Sequence, residues 1–380
     1  MENQKQLFSL DPEIHYLNNA YKAPLLKSSE EALVNSLERE RNPSLFKPDD
    51  FFNDANEIRT LFSQLVGCTT EDVAIIPSTS YGFASVFNNI EYEEGKHALT
   101  VNQEFPSDYF AVRRWCDDND AALRIIEPKD EGAPSGEAWN KELLEAINEK
   151  TAVLIISSVH WMNGLKFDLE AIGNRCEEVG AYFIVDGTQS VGAAPLDVKK
   201  CKIDALICAS YKWLFGPYST GLAYFAESFH NGAPIEESWM NRNNAKNFKK
   251  LTDYDSSYLP GAARYSVGES SNFLLLPMLK ASLTQVNKWG VENIQKYTDV
   301  LSSYFVEHLP KERYLVDDKA YLSSHLLGLY FTNKVDNAKL KEALKAHKVI
   351  LSERGASLRI AFQVYNTIED VDALLKALDY

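Results

Sequence analysis

The sequence predicts an α/β fold, with a large domain built on a seven-stranded, mostly parallel sheet and a smaller α+β domain after it. Three observations carry this. Short apolar runs rich in β-branched residues alternate with helical patterns through the middle of the chain, as in strands joined by helical crossovers. Several runs are apolar at consecutive positions, which suits strands covered on both faces. After about residue 290 the texture changes to long amphipathic helices around a few strands. At 380 residues the chain is long enough for two cores.

Taken in order, the strands of the large domain are DVAIIP (72–77), HALTV (97–101), ALRIIEP (122–128), TAVLIISSV (151–159), AYFIVDG (181–187), DALICA (204–209) and GLAYF (221–225). Between them NKELLEAINEK (140–150) and DLEAIGNRCEEVG (168–180) have helical patterns, the second closed by Gly180. Further on, residues 291–309, 337–348 and 368–380 read as helices, and HLLGLYF (325–331) and SLRIAF (357–362) as strands. The expected division is an N-terminal segment, 1–20, lying on the small domain or the active-site rim, a large domain, 21–285, and a small domain, 286–380. The sequence holds no internal repeat or low-complexity linker.

Composition narrows the function. Apolar residues are 45% and charged residues 24%, which is ordinary for a soluble globular protein. A net charge of -15, with no long basic run, argues against nucleic acid or an anionic membrane as partner. No stretch of about 18 apolar residues is present to span a bilayer, and MENQKQLFSLDPEI lacks the apolar centre of a signal peptide. The five cysteines (Cys68, Cys116, Cys176, Cys201 and Cys208) have no metal-ligand spacing. They are expected to be reduced thiols in a cytoplasmic protein, and no metal site is expected.

In open α/β sheets, ligands gather at the C-terminal ends of strands. Those ends deliver Asp186 with Thr188, Gln189 and Ser190; Ser210, Tyr211 and Lys212; Ser78, Thr79 and Ser80 at the start of a helix; Glu104, Phe105, Pro106 and Ser107; and His160, Trp161 and Asn163. Lys212 stands in CASYKWLFGP (208–217), among residues that belong in an interior, where lysine is rarely found without a partner. Pyridoxal phosphate is the chemistry that needs such a set. Its aldehyde condenses with an amine, best supplied by a desolvated lysine of lowered pKa. A carboxylate keeps its pyridine nitrogen protonated. A helix N-terminus with hydroxyls suits its phosphate, and an aromatic side chain its ring. Taken singly, each residue has a structural alternative. Asp186 can cap a turn, Thr79 or Ser80 a helix, Phe105 can fill a core, and His160 and Trp161 can pack. The argument rests on their combination, with Lys212 following Asp186 by 26 residues.

VDGTQSVGAAPLDVKKCKIDALICASYKWLFGPYSTGLAYF (185–225) resembles the signature region of the class V aminotransferases of fold type I, a group that includes cysteine desulfurases, kynureninase and isopenicillin N epimerase-like proteins. HYLNNA (15–20), EFPSD (104–108), ARYSVGESSNF (263–273) and LRIAFQVYNT (358–367) extend the likeness in the right order. The resemblance implies that Lys212 joins the cofactor covalently, Asp186 pairs with the pyridine nitrogen and Gln189 with the ring hydroxyl. It implies that Phe105 stacks on the ring, and that Thr79, Ser80 and Tyr211 hold the phosphate. Arg359 would take the substrate α-carboxylate, for which a guanidinium fork is suited, and His160 and Trp161 would contact substrate. It further implies a homodimer in which Ser270 or a backbone amide near Glu269 reaches the phosphate of the neighbouring subunit.

The sequence also departs from that pattern. Ala209 stands where many members have serine, and Trp161 where desulfurases have asparagine. No cysteine follows Cys208, so none can serve as a sulfur acceptor near SERGASLRI (352–360). The expected function is therefore a cytoplasmic, dimeric aminotransferase of a small amino acid and a keto acid. A β-lyase or epimerase of the same fold, and a scaffold protein without cofactor, are the alternatives.

Overall fold

The computed structural model describes residues 1–127, 135–355 and 357–380. In chain order its elements are β1 (His15–Tyr16), α1 (Lys27–Glu40), α2 (Asp50–Val66), β2 (Val73–Ile76), α3 (Thr79–Phe87), β3 (His97–Val101), α4 (Pro106–Asp118), β4 (Ala122–Ile126), α5 (Gly136–Ala146), β5 (Thr151–Ser157), α6 (Leu169–Val179), β6 (Tyr182–Asp186), β7 (Ala205–Ala209), β8 (Gly221–Phe225), α7 (Leu275–Trp289), α8 (Val291–His308), β9 (Tyr314–Leu315), β10 (Leu326–Phe331), α9 (Asn337–Ala346), β11 (Val349–Ile350), β12 (Ser352–Arg354), β13 (Ser357–Ala361) and α10 (Ile368–Leu378).

Seven strands form one sheet in the order β2-β8-β7-β6-β5-β3-β4. Only β8 runs against the others, pairing antiparallel with both β2 and β7. The consecutive apolar runs follow from burial on both faces. β5 sends Leu154 and Ile156 to one side and Val153 and Ile155 to the other, and β7 separates Leu206 and Cys208 from Ala205 and Ile207. The first side is covered by α2, α5, α6 and α7 through Phe62, Leu143, Ile172 and Leu279. On the second side, α3 and α4 contribute Phe83, Val86, Val112 and Trp115.

A second, antiparallel sheet has the order β12-β13-β10-β9 and packs against α8, α9 and α10 through Leu301, Phe305, Leu340, Leu358, Ile360 and Leu374. The N-terminal segment lies beside it, with β1 parallel to β11 and Asn18 bridged to Ala361.

The boundaries differ from the sequence reading where polar side chains decide them. The helix expected over 140–150 begins at Gly136, because Ser135 caps it by accepting the Ala138 N–H. It ends at Ala146, and beyond it Asn148 holds a turn by accepting the Lys150 N–H. Asp72 is not the first residue of β2. It closes a capping box with Thr69 in the preceding turn. The strand expected over 122–128 ends at Ile126, and its last expected residue, Pro128, lies outside the described residues. Ala356, within the SERGASLRI segment, also lies outside them.

Candidate active site

The site is assembled where β6 and β7 end side by side. These strands are parallel, with Asp186 opposite Ile207. The two turns that follow are stitched together: the Ala209 N–H donates to Thr188 Oγ1 at 3.0 Å, and Trp213 Nε1 donates to Gln189 Oε1 at 2.9 Å. Gly216 is required here, since a Cβ would lie 2.6 Å from Ser210 Oγ. The residues after the lysine (Trp213, Leu214 and Phe215) are all fully buried. They anchor the turn in the core and leave Lys212 fixed at the strand end. The N-terminal segment closes over it, with Ala23 N–H on Tyr211 O at 3.0 Å and Gln189 Nε2 on Ala20 O at 3.3 Å.

Lys212 is only 7% exposed. Its Nζ lies 5.6 Å from the Phe105 ring centroid and 5.7 Å from that of Tyr211. Burial pushes its pKa down to about 8, against the opposing pull of Asp186. This accounts for a lysine in an apolar segment: it is held as an amine that loses its proton easily.

Three buried acids sit nearby. Asp186 accepts the Thr188 N–H at 2.7 Å, and burial raises its pKa. Asp108, in the first turn of α4, is raised well above the usual range, first by burial and next by the charge of Asp186. Both of its carboxyl oxygens are buried without a donor. The two carboxyls adjoin, and a hydrogen bond between them closes only if one carries a proton. Glu104 accepts from Ser157 N–H and Phe105 N–H, each at 2.7 Å, and so ties the end of β3 to β5. The sequence reading names Glu104 at its strand end and quotes Asp108 in EFPSD, but assigns neither a role. The available signal was helical phase: Phe105 and Asp108 are three residues apart at a helix start and share one face.

The remaining expected residues divide. Thr79 and Ser80 occupy the first turn of α3, whose N-cap Ser78 accepts the Tyr81 N–H. A cavity of about 810 Å³ opens beside Ser80 and Ser107, between α3 and α4. Trp161 meets Phe105 edge to face at 5.5 Å and donates its Nε1 to Gln103 O at 2.8 Å. Arg359 is buried, and its Nη1 donates to Trp161 O at 2.9 Å. Burial brings its pKa down to about 9, so it stays a cation near neutrality. Ser270 is buried in the segment between β8 and α7, which runs beside β2 where Val267 N–H donates to Ile75 O, and no described bond joins it to Lys212. His160 is fully buried, edge-on to Trp139 of α5 at 4.8 Å, with Nδ1 3.0 Å from Asn163 Oδ1 and Nε2 buried without a partner among the described residues. Desolvation presses its pKa to about 4, so the ring is neutral near pH 7.

These residues fit pyridoxal phosphate on their own chemistry. Two buried acids that repel each other call for a cation, which a protonated ring nitrogen supplies. A buried amine of lowered pKa suits an aldehyde, the Phe105 face a flat ring, and the N–H groups and hydroxyls at the start of α3 a phosphate. Among the described residues no group of three or more His, Cys, Asp or Glu could hold a metal ion.

Comparison with known proteins agrees with the fold and places the sequence. An uncharacterized aminotransferase of Bacillus subtilis, YcbU, is 25% identical over 82% of this chain and 80% of its own length. A kynureninase of Shouchella clausii is 24% identical over 84% of this chain and 75% of its own. A structure of C-DES, a mutant with glycine covalently linked to its PLP cofactor, superposes with a TM-score of 0.87 at 16% identity, covering 99% of both chains. At that identity the likeness speaks for the fold. Residues 48–374 match the family described as aminotransferase class-V, and the chain belongs to that family.

Proposed function

We propose that this protein is a pyridoxal 5'-phosphate enzyme acting at the Cα of a small amino acid, as an aminotransferase that delivers the amino group to a keto acid. The observation that carries the reading is Lys212: a buried amine with a pKa near 8, flanked by two aromatic rings and facing a pair of buried carboxyls.

Lys212, Asp186, Gln189, Phe105, Tyr211, Thr79 and Ser80 would hold the cofactor, with Ser270 of a second copy completing the phosphate site. When bound, the cofactor supplies an aldehyde for amines and a cationic ring that draws electrons from Cα. Asp186 holds a proton on the ring nitrogen, and Asp108 shares that charge. Arg359 fixes the substrate carboxylate and so sets which Cα bond faces the ring. Lys212 Nζ removes the Cα proton as a general base; its lowered pKa leaves a useful fraction unprotonated near neutrality. Where the proton returns decides between amino transfer and epimerisation. Loss of a β-substituent instead gives a lyase, and the kynureninase relative keeps that as the second reading. Sulfur transfer through a mobile cysteine is disfavoured. No cysteine follows Cys208, so no thiol is available in the segment 352–360.

We further propose a two-fold homodimer, a division into a cofactor-binding unit (21–285) and a smaller unit (286–380), and a reducing, cytoplasmic setting for the five free cysteines. The test is to purify the protein with the cofactor, reduce it with borohydride and map the labelled peptide. Label on Lys212, with amino acids converted to their keto acids, supports the reading. A colourless protein that retains no cofactor would overturn it in favour of a scaffold. Release of a side-chain fragment would turn it to the lyase.

A further inference from the structure

We propose that the substrate carries a second acidic group, and that Arg354 receives it while Arg359 receives the α-carboxylate. The inference rests on Lys212 marking the amino-acid site, and it adds the substrate class.

Both guanidiniums are mounted on Trp161. Arg359 donates Nη1 to the Trp161 carbonyl, and Arg354 Cζ lies 5.8 Å from the centroid of the Trp161 ring. Trp161 in turn meets Phe105 edge to face at 5.5 Å, and Phe105 lies 5.6 Å from Lys212 Nζ. Lys212, Phe105, Trp161 and Arg354 are thus linked by successive contacts. Neither arginine has a carboxylate within ion-pair distance among the described residues. The Nε of each is buried without an acceptor. Among the described residues Arg354 donates Nη1 only to the backbone oxygen of its own neighbour, Glu353, whose carboxylate is engaged by Lys341 at 3.3 Å. After burial, the charge of Arg354 is the largest effect lowering the pKa of Arg359.

Two cations placed close together, short of acceptors and without a protein anion, repel one another. Each is relieved by an anion of its own. A single carboxylate on Arg359 leaves Arg354 uncompensated, whereas a diacid neutralises both. The fork of each guanidinium suits a carboxylate, sulfinate or phosphate equally. Amino acids with an acidic side chain are therefore the class that fits, and the neutral side chains of the same length are disfavoured.

The test uses inert acids, so it needs no turnover. Calorimetric titration of the cofactor-loaded protein compares succinate with butanoate and glutarate with pentanoate. The diacids are expected to bind at least tenfold more tightly than the monoacids of equal length. Arg354→Gln is expected to bring that advantage below threefold, chiefly by weakening the diacids, and Arg359→Gln to weaken both kinds. Equal affinity for diacid and monoacid in the wild type, a comparison that needs no variant, would overturn the proposal. Equal loss for both kinds in Arg354→Gln would also overturn it, since the two arginines would then share one carboxylate. The cofactor's absorbance is read on the same samples. Its absence counts against the pyridoxal phosphate reading, while diacid selectivity with the absorbance intact, or its lack, bears on Arg354 alone.

Discussion

The two ends of the seven-stranded sheet handle buried acids in opposite ways. At the N-terminal ends of β2 and β7 sit Asp72 and Asp204. Asp72 accepts the Thr69 N–H at 3.0 Å and lies 3.2 Å from Lys199 Nζ and 3.3 Å from His230 Nε2. Asp204 accepts the Phe183 N–H at 2.8 Å. At the C-terminal ends sit Asp186 and Asp108, whose carboxyls adjoin, and Asp108 has no donor on either oxygen. Burying a polar group without a partner costs about 1–3 kcal/mol, and more for a charge. One end of the sheet is thus complete within the chain, and the other is complete only when something cationic arrives. That asymmetry separates Asp72, an acid that serves stability, from Asp108, one that serves binding.

The largest expected effect comes from removing the amine at the open end. Lys212→Ala deletes both the group that joins the cofactor and the base at Cα. Turnover should fall by about 10³-fold or more, as loss of a general base alone accounts for about 10²–10⁴. Borohydride should no longer fix the cofactor to the protein. Wild-type rates in this variant would remove Lys212 from the chemistry altogether.

A paired substitution sharpens the contrast between the ends. Asp108→Asn replaces a repelled acid by an amide that can donate to Asp186. The cofactor-free protein should gain about 1–3 kcal/mol in urea unfolding at pH 7.5, while cofactor affinity falls about tenfold, or about 1.4 kcal/mol. Asp72→Asn keeps the acceptor for Thr69 but loses the ion pair with Lys199, and should lose about 1–2 kcal/mol after allowance for the half-exposed lysine. Cofactor affinity should not change. If both variants moved stability in the same direction, Asp72 and Asp108 would not differ in the way described.

Legibility in the sequence followed the same division. Asp186 and Lys212 could be found because Asp186 ends one apolar strand and Lys212 stands three residues beyond another, and strand ends can be read from hydrophobic pattern alone. Asp108 escaped because its place depends on the phase of α4, which begins only at Pro106. Arg354 escaped because no strand is read before residue 357, whereas the segment forms β12 and brings the side chain to Trp161. The packing partner of His160 was hidden for a related reason. A residue just beyond a strand end can turn into the core as readily as outwards, and Trp139 that receives it comes from α5, whose start was read four residues late. The N-terminal helices α1 and α2 were not read at all. α1 buries little beyond Ser29 and Ser36, so its apolar stripe is thin.

The smallest expected effect tests the closed end through Asp204. Burial raises this carboxyl to about 6, above the value of about 3.9 for an unfolded aspartate. The folded state therefore binds the proton more tightly than the unfolded chain. Stability falls as pH rises from about 4 through about 6, and the full cost is present above that. Asp204→Asn keeps an oxygen for the Phe183 N–H and removes the charge. Because the site is partly exposed, the gain should be only about 1–2 kcal/mol at pH 7.5, read as a higher urea midpoint with an unchanged slope. Near pH 4 both the wild-type carboxyl and the amide are neutral, and the two curves should converge. A gain that persisted at pH 4 would mean the amide improves packing, and the charge at this end would then cost nothing.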